Sequence, residues 1–427
     1  MAPPMIATLG ALAPPWRTLV ARGVLLAPLA LARAQVAAHS TSLAEVGLGL
    51  LEHGADTPRF TGAARRLLVE GQRTNGLPNP RAEGAAEGSP GTLPTGWALS
   101  ASAPSLSRTV TPVTVAGMAG VSIRWFGTAA ATASLILDFE PNASSIVAAP
   151  DQRWAASVTL ARSIAVAAPP TNLRCAGRAT AGALVTGNSF TVEVAPGADA
   201  ARFALPFLLT SAGTIARVNG GIQYLCESGV AYDWTDTYLL PQLELGPFAS
   251  TPILPPIGTP SASTRGADLV SASLGSLGIG TSGACTILWS GVIPQAAPAA
   301  HSLRLFQVDN GGDTQVFGVR VSASTSNLSL YRYAAGGLSD AAATAMTPGD
   351  PVRVAVSVAG DGTAACSING GSVTTVTGGP AAGLTTIRLG NSAAGTTPLA
   401  GDVAHFRVLP HAVSSAMLPA LAAALPL

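Results

Sequence analysis

What most constrains this chain is how often it is interrupted. Apolar runs are short, many alternate with polar residues, and clusters of Gly, Pro, Asn and Ser separate them. The 427 residues include 47 Gly and 33 Pro. A helix interior tolerates neither well: glycine carries an entropic cost, and proline removes a donor and clashes with the preceding turn. Runs such as "VSIRWFG", "ASLILDF", "SFTVEVA" and "LSLYRYA" are rich in the β-branched and aromatic residues that suit a pleated surface. Phe190 to Val194 alternates in the period-2 manner of a half-buried strand. The chain therefore reads as all-β.

The strand signals fall into two series. From Trp97 to Leu245 they recur at close spacing, as in a sandwich or jelly roll. From Asp268 to about Leu418 the pattern restarts. Here "VDNGGDT" and "INGG" each carry Asn-Gly, a strong hairpin signal. Between the series, Pro252, Pro255, Pro256 and Pro260 each fix φ and remove a donor. That predicts a stiff, extended joint unable to add itself to a sheet edge. The expected layout is an N-terminal docking segment over 1–56 and a connector over 57–78. A first jelly roll over 79–247, a Pro-rich linker over 248–267 and a second jelly roll over 268–420 follow. "VSSAMLPALAAALP" reads as a short C-terminal helix capped by Ser414 or Ser415. Near the N-terminus, Gly23 to Ala32 is apolar and Ala32-Arg33-Ala34 resembles a signal-peptide cleavage site; the competing reading is an amphipathic docking segment. Ten apolar residues are too few to span a bilayer, so no transmembrane segment is expected.

Composition excludes several functions. Charged residues make up 11% and the net charge is +1, with arginine the sole basic residue besides histidine. So weak a charge cannot supply the electrostatic footprint of nucleic-acid binding. Cys175, Cys226, Cys285 and Cys366 form no C-x-x-C, so they read as buried thiols; in an exported protein they would read as one disulfide per module. The five histidines show no ligand spacing, and no Walker or dinucleotide glycine pattern occurs. Asp138 and Glu140 share a strand face, which reads as a solvated or cross-strand-paired face. No E-x-D-x-x-E is present to provide the paired carboxylates of a glycoside hydrolase. No enzyme activity is expected; polysaccharide degradation is the least favoured alternative.

Three segments carry a resemblance. "TPRFTGAARRLLVEGQRTN" and "PQLELGPFASTPILPPIGTPSASTRGAD" resemble blocks found in that order in phage tail-fibre and head-spike proteins, including those of gene-transfer agents. "PVRVAVSVAGDGTAACSINGGSV" with "IRLGNSAAGTTPLAGDVAHFRVLPHAVSSAML" resembles a laminin-G/concanavalin A-like jelly roll. Thr251 stands where the family usually has Tyr. The resemblance implies a first jelly roll like a carbohydrate-binding module. It further implies a location on the surface of a virion or virion-like particle assembled in the bacterial cytoplasm. The implied partners are host capsular or cell-surface polysaccharide and neighbouring particle subunits, and the implied oligomer is a homotrimer. The alternative class is a purely structural spike or tail subunit.

Sugar binding needs aromatic faces for the C–H face of the ring and planar polar groups for its hydroxyls. The run "AYDWTDTY" places Tyr232, Trp234, Asp236 and Tyr238 on one strand face. Trp125 and Trp154 are further candidates in the first module, and Tyr331 and Tyr333 in the second. No cofactor is expected, although Asp309, Asn310 and Asp313 could form a calcium loop; a hairpin turn explains them more simply.

Overall fold

The structure is a computed structural model that describes residues 16–33, 39–43, 50–99, 104–210, 214–297, 301–323, 325–334, 337–377 and 383–427. It is all-β, with antiparallel sheets and one short α-helix. Two compact units divide the chain: a first sandwich from the described parts of 35–54 and 73–265, and a second from the described parts of 1–34, 55–72 and 266–427.

In the first sandwich, one sheet runs Ser107–Val115, Met118–Thr128, Ala231–Leu245, Arg153–Ile164, Ala201–Leu208. The other runs Leu184–Glu193, Thr171–Arg178, Arg217–Cys226, Ala133–Asp138, Ala98–Leu99. Alternate residues of each strand meet in a core that includes Val121, Ile123, Leu135, Leu137, Leu173 and Ile222. The period-2 side-chain alternation puts these residues inside.

The second sandwich has a nine-stranded and a seven-stranded sheet. The path of the larger includes Arg17–Ala21, Gly401–Leu409, Cys285–Val292, Pro351–Val358 and Ala364–Ile368. The smaller runs Gly337–Ala345, Asn327–Ala334, Val316–Val321, Leu303–Asp309, Thr386–Leu389, Leu269–Ser273, Ala30–Ala32. The outer face of the larger sheet is partly covered by the C-terminal helix, Leu418–Ala423, which packs Leu418 and Ala422 on Leu288, Ala355 and Ala365. Its flanks are pinned by Ser290 Oγ donating to Pro426 O (2.7 Å), Arg353 Nε to Leu425 O (2.7 Å) and Ser357 Oγ to Val413 O (2.7 Å). Ser414 precedes a 3-10 turn without making a side-chain cap, so the expected serine cap is absent; Pro419 opens the α-helix instead, where its missing N–H costs nothing.

Two expectations of layout are corrected. The segment 1–56 does not stand apart: Arg17–Ala21 pairs with Gly401–Leu409, and Ala30–Ala32 pairs with Leu269–Ser273, both within the second sandwich. His39–Leu43 and Leu50–His53 pair with each other in the first. Residues 1–15, 34–38 and 44–49 of the expected docking segment, including Ala34, lie outside the described residues. The Pro-rich stretch is no free joint either. Ile253–Leu254 pairs with His39–Leu43, and Ser263–Arg265 pairs with Arg73–Asn75. Prolines flank these short strands rather than fill them, so the N–H groups the ladders need remain.

The same two blocks that carry the family resemblance are fastened to each other. In the second sandwich, Arg59 bridges Glu70 (2.8 Å) and Asp268 (2.5 Å), while Arg33 bridges Asp268 (2.8 Å), all buried. Asp268 Oδ2 also accepts the Glu70 N–H (2.9 Å). Burial opposes the Arg59 charge, but the two carboxylates more than offset it and hold its pKa above the usual value. In the first sandwich, Asn75 Nδ2 donates to the carbonyls of Pro241 and Ile253, both at 3.2 Å. Glu244 accepts from Gln242 Nε2 (2.6 Å), the Ser250 N–H (2.6 Å) and Ser250 Oγ (2.8 Å). All four cysteines are free buried thiols, which settles the disulfide alternative.

Candidate functional site

Seven of the eight aromatic and acidic candidates are buried, which corrects the expected open face. Tyr232, Trp234, Asp236 and Tyr238 do share one strand face, and that face is the core of the first sandwich. Asp236 anchors a closed network there. Its carboxylate accepts from Arg162 Nε (2.6 Å) and Nη2 (2.7 Å), from Tyr224 Oη (2.6 Å) and from Trp234 Nε1 (3.3 Å). Tyr224 and Tyr238 share a hydroxyl contact, and burial pushes both phenols well above their ordinary pKa. Trp125 stacks near Trp234 with centroids 6.4 Å apart, and Trp154 is buried beside Gln152. Large rings are the most effective core fillers available to a chain with 5% aromatics.

The second sandwich presents a different surface. On its seven-stranded sheet, Leu303, Val308, Val319, Leu328 and Leu330 point into the core. Alternate residues therefore point away: Arg304, Gln307, Asp309, Gly318, Arg320, Ser329, Tyr331, Tyr333, Leu338, Asp340 and Arg388. Cross-strand register lines them up in rows. One runs Asp340, Tyr331, Gly318, Gln307, Arg388. Gly318 has no side chain, and Tyr331 Oη reaches over to donate to Gln307 Oε1 (3.4 Å). Tyr331 is buried between Arg304 and Arg320, whose guanidinium carbons lie 5.4 and 4.9 Å from its ring centroid. It is a foundation of this face rather than an open platform.

Three arginines on the face each hold an aspartate: Arg304–Asp313 (3.0 Å), Arg320–Asp340 (2.7 Å) and Arg388–Asp309 (2.7 Å). The "VDNGGD" stretch is therefore a turn closed by its own hydrogen bonds. Gly311 N–H donates to Asp309 Oδ1 (2.9 Å), and Asn310 Nδ2 donates to Thr314 Oγ1 (2.8 Å). Burial works against the Asp313 charge, but Gln307, Arg304 and the N–H groups of Ala393 and Ala394 leave its pKa lowered. Among the described residues no group of three or more His, Cys, Asp or Glu is placed to hold a metal, and the carboxylates of Asp309 and Asp313 are paired with Arg388 and Arg304.

Tyr333 is the exception among the candidates: it is half-buried and lines a small hollow with Gln315, Val316, Phe317, Arg332, Ala334, Gly362 and Leu384. Its cross-strand partner Leu338 is 53% exposed. Gln315, Arg332 and Tyr333 thus border one small hollow, and Leu338 lies beside Tyr333 on the neighbouring strand. A small hollow in the first sandwich, lined by Glu52, Arg81, Met118, Leu240 and Leu254 among others, has no aromatic ring.

The first sandwich has a polar sheet face that sequence reasoning treated as ordinary. Arg178 Nε donates to Asn219 Oδ1 (2.7 Å), and Asn219 Nδ2 donates to Asp138 Oδ1 (3.0 Å) and Asn142 Oδ1 (2.8 Å). Asp138 is cross-strand paired, as its strand pattern suggested. Glu140 is not: Oε2 is buried without a hydrogen-bond partner, and burial raises its pKa to about 7 despite Arg217. The D-x-E spacing was visible; the loss of solvent at Glu140 was not.

No family model matches the chain, and no curated protein matches it. Among solved structures it is similar to domain 4 of AbnA, a GH43 extracellular arabinanase from Geobacillus stearothermophilus, in complex with arabinotriose. Identity there is 14% and the TM-score 0.29, covering 36% of this chain and 73% of that one. CBM40 of the Ruminococcus gnavus IT-sialidase, bound to α2,6 sialyllactose, is 17% identical with a TM-score of 0.27, covering 33% and 82%. The CBM22-1–CBM22-2 tandem of Paenibacillus barcinonensis Xyn10C is 12% identical with a TM-score of 0.24, covering 78% and 99%. Each is a distant likeness.

Proposed function

We propose that this chain is a surface fibre or spike subunit of a phage-like or gene-transfer-agent particle. In this reading it holds host cell-surface polysaccharide without cleaving it. The observation that carries the binding claim is the cavity at Tyr333. A half-buried ring beside exposed Leu338 offers an apolar platform for the C–H face of a sugar. Gln315 and Arg332 bring hydrogen-bonding groups to the same cavity for its hydroxyls. The aspartates of the adjoining face are each held by an arginine, an arrangement suited to gripping hydroxyls rather than to moving protons. The particle setting rests on the order of the two sequence blocks.

The test is retention of host capsular polysaccharide by the purified chain on a glycan array. Binding is expected, with about a tenfold loss (~1.4 kcal/mol) for Tyr333→Ala and no shortening of the polysaccharide on incubation. No retention of any host polysaccharide would overturn the adhesion reading.

A purely structural role is favoured by a different observation. Val147, Ile164, Val166 and Ile257 of the first sandwich are 59–80% exposed. Such residues suit burial against neighbouring subunits. Light scattering should then report a trimer, and a monomer at every concentration would count against the spike reading.

A further inference from the structure

We infer that the edge of the larger sheet of the second sandwich, around Arg22, Arg65, Arg66 and Arg407, binds the carboxylates of an acidic polysaccharide. This rests on the glycan-binding reading above and adds a second surface with its own ligand class.

The sheet register builds the patch. Phe406 points into the core, so its neighbours His405 and Arg407 point outward. Arg17–Ala21 pairs along them and matches Ala21 to His405, which brings Arg22, at the turn that follows, beside them. Arg66–Val69 pairs with the start of the same strand; Leu67 and Val69 enter the core, so Arg66 also points outward. The Arg65 guanidinium lies against Gly23, so near that a Cβ there would collide with its Nε. Arg22 and Arg65 are exposed, and Arg66 and Arg407 partly so.

The charges here are not matched one to one. Elsewhere arginines have their own carboxylates, as in Arg124–Asp233, Arg162–Asp236 and Arg320–Asp340. At this edge Asp402 faces Arg66 at 3.6 Å. Neither Arg22 nor Arg407 forms an ion pair among the described residues, and Arg407 Nε has no hydrogen-bond partner. His405, buried beneath them, registers the field: its pKa is lowered by burial, then by Arg407 and by Arg22, all in one direction. In a chain of net charge +1, this is a local surplus of positive charge, and it draws anions to one place.

The planar fork of arginine matches a carboxylate. Val24 and Leu26, which follow Arg22 on the same hairpin, are 48% and 40% exposed. They offer apolar contact to the C–H face of the ring that carries the carboxylate. Two aliphatic side chains bury too little to hold a bilayer. The phosphate at every step of a nucleic acid would call for a longer row of cations.

The experiment measures binding of the full chain to polygalacturonate, to a neutral dextran, to duplex DNA and to phosphatidylglycerol vesicles, at low and at high salt. Polygalacturonate should bind, and at least about tenfold more weakly at high salt. Arg22→Glu combined with Arg65→Glu should cost at least about tenfold at low salt. Arg66→Gln combined with Arg407→Gln should do the same, and reports independently if the first pair disturbs the hairpin. Arg124→Gln, in the first sandwich, should change nothing. Binding of dextran but not polygalacturonate, or full binding by both double variants, would overturn this surface and leave the Tyr333 site standing. Tighter binding of DNA or of vesicles than of polygalacturonate would overturn the polysaccharide assignment. Absence of binding to either polysaccharide would count against the glycan reading as well.

Discussion

Asp268 shows how much one side chain can be asked to do. It accepts from Arg33, from Arg59 and from the Glu70 N–H in a site with almost no solvent. Replacing it by alanine takes a shared buried carboxylate from Arg33 and from Arg59, which keeps Glu70, and removing one partner of a buried pair costs about 3–5 kcal/mol. Urea unfolding of Asp268→Ala should show a loss of that size, and a loss below about 1 kcal/mol would mean that water replaces the carboxylate. Glu140 makes the opposite case. Its folded-state pKa of about 7 lies above the ordinary 4.5. The stability linked to its proton is thus full below about 4.5 and is lost as pH rises through about 7. The wild-type Tm should therefore fall relative to that of Glu140→Gln between pH 5 and pH 8. Parallel profiles for the two proteins would show that Glu140 stays solvated. At this scale, the alternation of Tyr232, Trp234, Asp236 and Tyr238 was legible in the sequence. Which side of their strand faces water was not, because period-2 spacing defines two faces without labelling them.

Among the elements, the C-terminal helix and the Pro-rich stretch depend most on their surroundings. The helix Leu418–Ala423 has six residues, too few to persist in water without a surface to pack on. Leu418 is fully buried against Leu288, Ala355 and Ala365. Leu418→Ala should cost about 2–5 kcal/mol in chemical denaturation, and a neutral result would mean that the helix is held by its flanking hydrogen bonds alone. The Pro-rich stretch was expected to stay unpaired. It contributes two short strands because Ile253–Leu254 lies between Pro252 and Pro255 and Ser263–Arg265 follows the last proline, Pro260. Proline content marked where pairing must stop. It gave no sign of strands 39–43 and 73–75, distant in sequence, that pair with what lies between.

For the whole molecule, the chain passes between its two units four times: between residues 33 and 39, and at 54/55, 72/73 and 265/266. A simple tandem of modules would let residues 266–427 fold alone. The structure predicts otherwise. That fragment lacks Arg17–Ala21, Ala30–Ala32 and Arg66–Val69, which pair within its two sheets, and it leaves Asp268 without Arg33 and Arg59. Expressed by itself, it should show poor amide dispersion and no cooperative unfolding transition. A well-dispersed spectrum would restore the modular picture.

The fold class and the two series of strands were readable from residues 1–427 because alternation, β-branched content and turn chemistry are local properties. The two blocks that suggested a particle-surface protein were readable as strings, but their physical role was not. Arg59, Glu70 and Asp268 meet only when strands far apart in the chain pair, as do Asn75, Gln242 and Glu244. The candidate site divides in the same way. Aromatic residues could be named from the sequence. Only tertiary packing drove Trp125, Trp154, Trp234 and Tyr238 into a core and left Tyr333 at the rim of a cavity. Burial depends on what covers a strand face, and here the cover comes from strands far away in the chain.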